Sequence, residues 1–124
     1  MAEEAQEKIL IIGTHGPEDP ERASFPFVIA NAALVLDVKA TVALQGVAVL
    51  LAQKGIADHV FTPGLPPLKE LLENFFAQDG KLLVCTPCIK ERQIETEMLI
   101  EGAELVAGAR VVMETLEANS TLSY

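Results

Sequence analysis

"LLVCTPCIKER", residues 82–92, joins an apolar run to a proline-led polar one, with Cys85 and Cys88 at the joint. The run Lys81–Cys85 predicts a strand buried on both faces. Pro87 predicts a helix start just beyond it, because its missing N–H would go unpaired in a first helical turn anyway. A strand ending in a cysteine and followed at once by a helix is one unit of an alternating fold. The pair itself is open to four readings: a metal clip, a redox pair, a sulfur carrier or two ordinary buried thiols.

The same alternation extends in both directions. "KILIIGTH" runs from Lys8 through Ile9, Leu10, Ile11 and Ile12 into Gly13, a second β-branched-rich strand ended by a turn residue. The loop "THGPEDPERAS" leads to Ser24, two residues before Pro26, which predicts a helix start there and a helix to about Asp37. That helix is apolar nearly all round, from Phe27 to Leu36, so burial on a second side is expected, supplied by a subunit contact. "VKATVALQ" alternates as a strand, and "GVAVLLAQKG", between Gly46 and Gly55, has the length of a short helix although Val47 and Val49 suit a strand equally well. In "PPLKELLENFFAQDG", Leu68, Leu71, Leu72, Phe75 and Phe76 mark one face of an amphipathic helix, with Pro66 and Pro67 at its start and Gly80 at its stop. "AELVA" predicts a short strand, the spacing of Ala109, Val112, Met113 and Leu116 a helix, and "STLSY" a last strand. Strands alternating with helices predict an α/β fold of three layers, a mostly parallel five-stranded sheet with helices on both faces. The 124 residues suit one domain, 1–124, with residues 1–7 expected to be flexible.

Eighteen acidic against nine basic side chains give a formal charge of −9, a field that repels phosphate backbones and anionic lipid, so no nucleic-acid partner is expected. Glu91, Glu95, Glu97, Glu101 and Glu104 cluster after the cysteines and read as a solvated face. The start "MAEEAQEK" lacks the basic and hydrophobic regions of a secretory signal. The apolar stretch Val42–Ala52, broken by Gln45, falls short of the roughly 20 residues of a membrane span. The expected place is therefore the cytoplasm, with no membrane association, where two close cysteines point to metal binding or thiol chemistry rather than a structural staple.

In an open α/β sheet, the loops at the carboxyl ends of the strands meet along one edge, and chemistry gathers there. Three loops are expected at that edge: the one following Gly13, with Thr14, His15 and Gly16; the Gln45–Gly46 turn; and Cys85–Thr86–Pro87–Cys88. These residues form the candidate site, Cys85 and Cys88 as the reactive groups and Gly13, Thr14, His15, Gly16, Gln45, Gly46 and Thr86 as binding positions. The first turn of a helix favours negative charge, so a thiolate is stabilised there and is more nucleophilic near neutral pH. His15 could accept a proton from Cys85 or orient a ligand. Zinc would need about four ligands, and only His15 and His59 are left to join the cysteines, at spacings that match no finger pattern, so neither metal nor cofactor is expected. "CTPC" also invites comparison with thioredoxin-like oxidoreductases, but here the motif lies in the last third of the chain and Pro87 is the final proline, leaving none to face the cysteines.

"GTHGPEDPERASFPFVIANAA", "VKATVALQGVAVL" and "LLVCTPCIKERQIETEMLIEGAELV" together resemble the DsrE/DsrF-like family of small sulfur-relay proteins, over nearly the whole chain. The resemblance implies a flavodoxin-like fold, assembly into homotrimers or hexamers, and a cysteine that takes up sulfane sulfur as a persulfide from a donor protein and hands it to an acceptor. The family's sulfur-carrying position, at the end of the strand, matches Cys85. Cys88 occurs in only part of the family pattern and carries no fixed role; it could resolve a persulfide on Cys85 by forming a disulfide. Where the family often has Arg-Gly after the cysteine-bearing turn, this chain has Arg92–Gln93, a change in a turn that removes no reactive atom. Two other functions stay open: a small-ligand-binding or assembly module with incidental cysteines, and a dithiol oxidoreductase using Cys85 and Cys88.

Overall fold

Ile11 and Leu10 are neighbours in sequence yet belong to different hydrophobic clusters, as the two-residue period of a strand requires. They lie in the first strand, β1 (Lys8–Gly13), of a computed structural model that describes residues 6–124. Four more strands follow: β2 (Lys39–Leu44), β3 (Lys81–Cys85), β4 (Ala103–Val106) and β5 (Ser120–Ser123). Their order is β4-β3-β2-β1-β5, and all four pairings are parallel. The α/β architecture read from the alternation is the observed one, with helices on both faces.

The two faces are unequal. The larger cluster holds Val42, Leu44, Leu82 and Val84 from the strands, with Phe27 from α1 (Pro20–Val35), Leu68 and Phe75 from α2 (Leu68–Ala77) and Ile89 from α3 (Thr86–Glu91). Phe27 and Phe75 meet edge to face, ring centres 5.5 Å apart, where the two helices cross. Truncating either ring would cost about 3–5 kcal/mol, a large share of the roughly 5–15 kcal/mol that holds an ordinary domain together. The opposite face has a smaller cluster, Leu10, Ala43, Leu83 and Val106, against which Val111 of α4 (Gly108–Glu117) and Ala118 pack. Beyond that contact, α4 turns Val112, Met113 and Leu116 outward, and all three are exposed.

Three boundaries differ from the sequence expectation. The first helix starts at Pro20, not Ser24, because Asp19 caps it: its carboxylate accepts the Arg22 N–H at 3.1 Å, and Pro20 takes the first helical position. That N–H, together with the nearby guanidinium, holds the Asp19 carboxyl below its usual range. Ser24 is instead buried inside the helix, donating to the Pro20 carbonyl, and the helix runs on through Pro26. Secondly, Gly46–Ala52 is a tight 3₁₀ segment rather than an α-helix or a strand. Thirdly, the left-handed residue that ends α2 is Asp79, φ 65°, and not Gly80. Gly80 is small for another reason, since a Cβ there would collide with the Phe75 ring.

The end of α2 belongs to a pattern. Val38, Gly80 and Ile94 each donate an N–H to the carbonyl five residues back, of Ala33, Phe75 and Ile89. The preceding residues, Asp37, Asp79 and Gln93, hold φ of 63°, 65° and 57°. This is the Schellman closure of a helix, used three times without glycine at its left-handed position. At the amino end, Gln6 donates to the Asp37 carbonyl at 2.7 Å and the Glu7 carbonyl accepts the Lys39 N–H at 3.0 Å, so these two residues are held to the sheet. The rest of the stretch expected to be flexible, residues 1–5, lies outside the described residues. The acidic run faces solvent: Glu91, Glu95, Glu97 and Glu101 are exposed, while Glu104 accepts from Arg110 at 3.0 Å. Among the described residues no helix is long and apolar enough to cross a membrane.

Candidate functional site

The connection after β3 leads to α3 on the face of the larger cluster, whereas the connection after β4 leads to α4 on the other face. Two adjacent parallel strands whose chains depart in opposite directions leave a crevice at their carboxyl ends, the place where open α/β sheets put ligands and chemistry. Cys85 stands at that point. It ends β3, pairs with Val106 of β4, and lines a small crevice of about 80 Å³ together with Gln45, Leu83, Pro87, Val106, and Gly108.

The local structure follows from the residues. Pro87 sits in the first turn of α3, where no N–H is needed, and Cys85 is the residue capping that turn. Its Sγ accepts the Cys88 N–H at 3.3 Å, a sulfur in the role a serine or aspartate oxygen more often fills. The turn brings the two Cα atoms within 5.2 Å, and the sulfurs are close enough for a disulfide. The Cys88 sulfur has a donor of its own. The Gly46 N–H points at it from 3.3 Å away, so the turn after β2 reaches the first turn of α3. Each sulfur thus has one main-chain N–H directed at it, which fixes its position. Both cysteines are half-buried, neither sealed in the core nor fully open.

The other candidate residues divide into two groups. Gln45 lines the crevice beside Cys85, and its N–H is held by the Gly13 carbonyl at 3.0 Å. Gly13 lies under Pro26, where a Cβ would come within 3.3 Å of that ring and of Leu44. Gly16 lets the first loop touch the second, because a Cβ there would stand 2.5 Å from the Val47 carbonyl oxygen. Gly13, Gly16, Gln45 and Gly46 therefore join the three loops at one edge. The second group is engaged elsewhere. Thr14 gives both its N–H and its hydroxyl to the Tyr124 carbonyl, at 2.9 and 2.7 Å. His15 Nδ1 lies 3.2 Å from the Glu18 carboxylate, whose other oxygen accepts the Gly16 N–H at 2.7 Å. Thr86 is the first residue of α3, half-buried, between Cys85 and Pro87.

Sequence reasoning missed the far wall of the crevice, Val106 to Gly108 with Val111. The signal was present in the apolar strand "AELVA" and the small residues after it, but only the strand order places β4 beside β3. The role of Tyr124, whose ring stacks on Phe25 at 5.8 Å, was equally out of reach. Among the described residues no cluster of three metal-ligating side chains forms.

A five-stranded parallel sheet in the order β4-β3-β2-β1-β5, with a cysteine pair at the carboxyl end of β3, defines a layered α/β protein. The chain belongs to the DsrE/DsrF-like family, whose sequence model matches residues 7–124. An uncharacterized protein of Methanocaldococcus jannaschii is 33% identical over 110 residues, and there this chain spans only 40% of the relative's length. A second uncharacterized protein of that organism is 28% identical over 94% of this chain and 99% of its own, and one of Methanopyrus kandleri is 30% identical over 94% and 93%. Of solved structures, the YchN protein from E. coli superposes with a TM-score of 0.74 at 22% identity, over 96% of this chain and all of that one. A protein of unknown function from Methanobacterium thermoautotrophicum gives 0.70 at 12% identity, with the same coverage. At these identities the two structures establish the fold.

Proposed function

We infer that the protein carries sulfane sulfur as a persulfide on Cys85. The observation that supports this most is the position of that one sulfur: at the carboxyl end of β3, half-buried, beside a crevice and with an N–H directed at it. A persulfide carrier needs a nucleophilic thiolate that a donor can reach, and a small dry space where the outer sulfur is kept from water until the acceptor arrives. The lining meets that need, with Leu83, Val106 and Val111 supplying apolar walls and no charged side chain among the lining residues. Membership in a family associated with sulfur relay adds to this reading.

The donor in this account is a protein persulfide and the acceptor a protein thiol, and the protein works in the cytoplasm as a homotrimer or hexamer. The exposed Val112, Met113 and Leu116 of α4 suit contact between copies. A dithiol oxidoreductase is the second reading, favoured by the pairing of Cys85 with Cys88. A small-ligand module is less well supported, because about 80 Å³ at this edge is well below the roughly 300–1,000 Å³ of ordinary ligand sites.

The test is to reduce the Cys88→Ser variant, in which no neighbouring thiol can remove the sulfur, expose it to sodium tetrasulfide and locate added sulfur by peptide mass spectrometry. One extra sulfur on Cys85, absent from Cys85→Ser, is the expected result. A Cys85 peptide that stays unmodified while free cysteine in the same buffer becomes persulfidated would overturn the carrier reading.

A further inference from the structure

We propose that Cys88 makes the carrier self-discharging: when no acceptor takes the outer sulfur, Cys88 expels it as hydrosulfide and the protein is left with a Cys85–Cys88 disulfide. This deepens the persulfide reading of Cys85 and rests on it.

Three observations carry the step. The Cα atoms of the two cysteines are 5.2 Å apart, inside the usual range for a disulfide, so the bond forms without moving the chain. The Gly46 N–H, 3.3 Å away, fixes the Cys88 sulfur from the turn after β2 and holds it beside Cys85. The crevice is lined by Cys85 but not by Cys88. With the outer sulfur housed in this crevice, whose lining does not include Cys88, the inner sulfur is the one left to Cys88, whose own N–H already donates to it at 3.3 Å.

The chemistry closes without an outside oxidant. The Cys88 thiolate attacks Sγ of Cys85; the bond between the two cysteine sulfurs forms as the bond from Cys85 Sγ to the outer sulfur breaks. The electron pair of the broken bond leaves with the outer sulfur, which departs as hydrosulfide, and the proton of the Cys88 thiol has already passed to solvent. The sulfane sulfur is reduced to sulfide, and the two cysteines supply the electrons in becoming a disulfide. Two equivalents of a small thiol then reduce the disulfide through a mixed-disulfide intermediate and restore the empty carrier. Attack by an acceptor on the outer sulfur gives transfer instead. The dwell time of the sulfur is thus limited by Cys88, and the fate of each cargo is decided by whether an acceptor or Cys88 reacts first.

The experiment compares reduced wild-type protein with Cys88→Ser and Cys88→Ala, each loaded with sodium tetrasulfide, desalted and held without oxygen or acceptor. Wild-type protein is expected to lose its added sulfur, releasing one hydrosulfide for each disulfide formed. Both variants are expected to keep one sulfur on Cys85 over the same time. Wild-type protein that holds its sulfur as long as the variants do, with no disulfide, overturns the discharge step and leaves the carrier standing. Variants that never gain a sulfur overturn the carrier reading and this inference with it.

Discussion

The Gly46 N–H lies 3.3 Å from Cys88 Sγ and so ties the turn after β2 to the thiol in the first turn of α3. Gly46 reaches that position with φ at 58°, in the left-handed region, although the space around its Cα is open. Conformation rather than crowding calls for glycine here. Gly46→Ala is expected to fold and to lose about 1 kcal/mol, the cost of a left-handed Cβ. Urea denaturation of the reduced protein measures it, and an unchanged midpoint would show that the turn carries no such strain.

At the other end of α3 the situation is reversed. Gln93 closes the helix with φ of 57°, in the left-handed region that glycine adopts without strain. Gln93→Gly should therefore stabilise the protein by about 1 kcal/mol, because the closure asks for a residue free to adopt positive φ. A gain in urea midpoint at constant slope is the expected observation. A loss would mean that the glutamine side chain makes a contact worth more than the strain.

Asp19 gives the fold a pH dependence of known sign. Its carboxyl is held below the ordinary value near 3.8, chiefly by the Arg22 main-chain N–H. A group with a depressed folded-state pKa stabilises above its unfolded value and loses that contribution as pH falls through the folded one. Asp19→Asn keeps a cap that does not titrate. The drop in thermal midpoint between about pH 7 and about pH 2 should accordingly be smaller in Asp19→Asn than in wild type. Equal drops would remove Asp19 from the account.

Leu116 is 80% exposed on α4, next to Val112 and Met113 on the same helix. If this apolar strip holds copies together, as we infer, Leu116→Glu introduces an unpaired charge into a desolvated contact. Light scattering on the eluting protein should then show a lower mass for Leu116→Glu than for wild type, with the same circular dichroism. A wild-type protein that is monomeric at micromolar concentration would contradict the assembly.

The strand–helix alternation was legible because parallel strands buried on both faces show as short apolar runs, and "KILII" and "LLVC" are of that kind. The cysteine edge was legible for the same reason, since a thiol at the end of such a run has only one place to be. What the pattern could not give was set by tertiary contacts. The start of α1 lay hidden behind Pro26, which looks like a helix opening, while the real cap, Asp19, sits among other polar loop residues. The Gly46–Cys88 contact joins positions 42 residues apart, and no local rule predicts it. Loop placement puts His15 at the same edge as Cys85, where it could accept a proton or orient a ligand; the contact its ring makes is with Glu18, three residues on.

The central claim is that Cys85 takes up sulfur and gives it away, and a label chase in Cys88→Ser tests it most directly. The variant is loaded with radiolabelled sulfane sulfur, desalted, and mixed with excess cysteine as the acceptor thiol. The account predicts that label enters Cys85, then moves to the added thiol as its persulfide, leaving the variant able to be loaded again. Label that never enters Cys85, or that enters and cannot be withdrawn by any thiol, would contradict it.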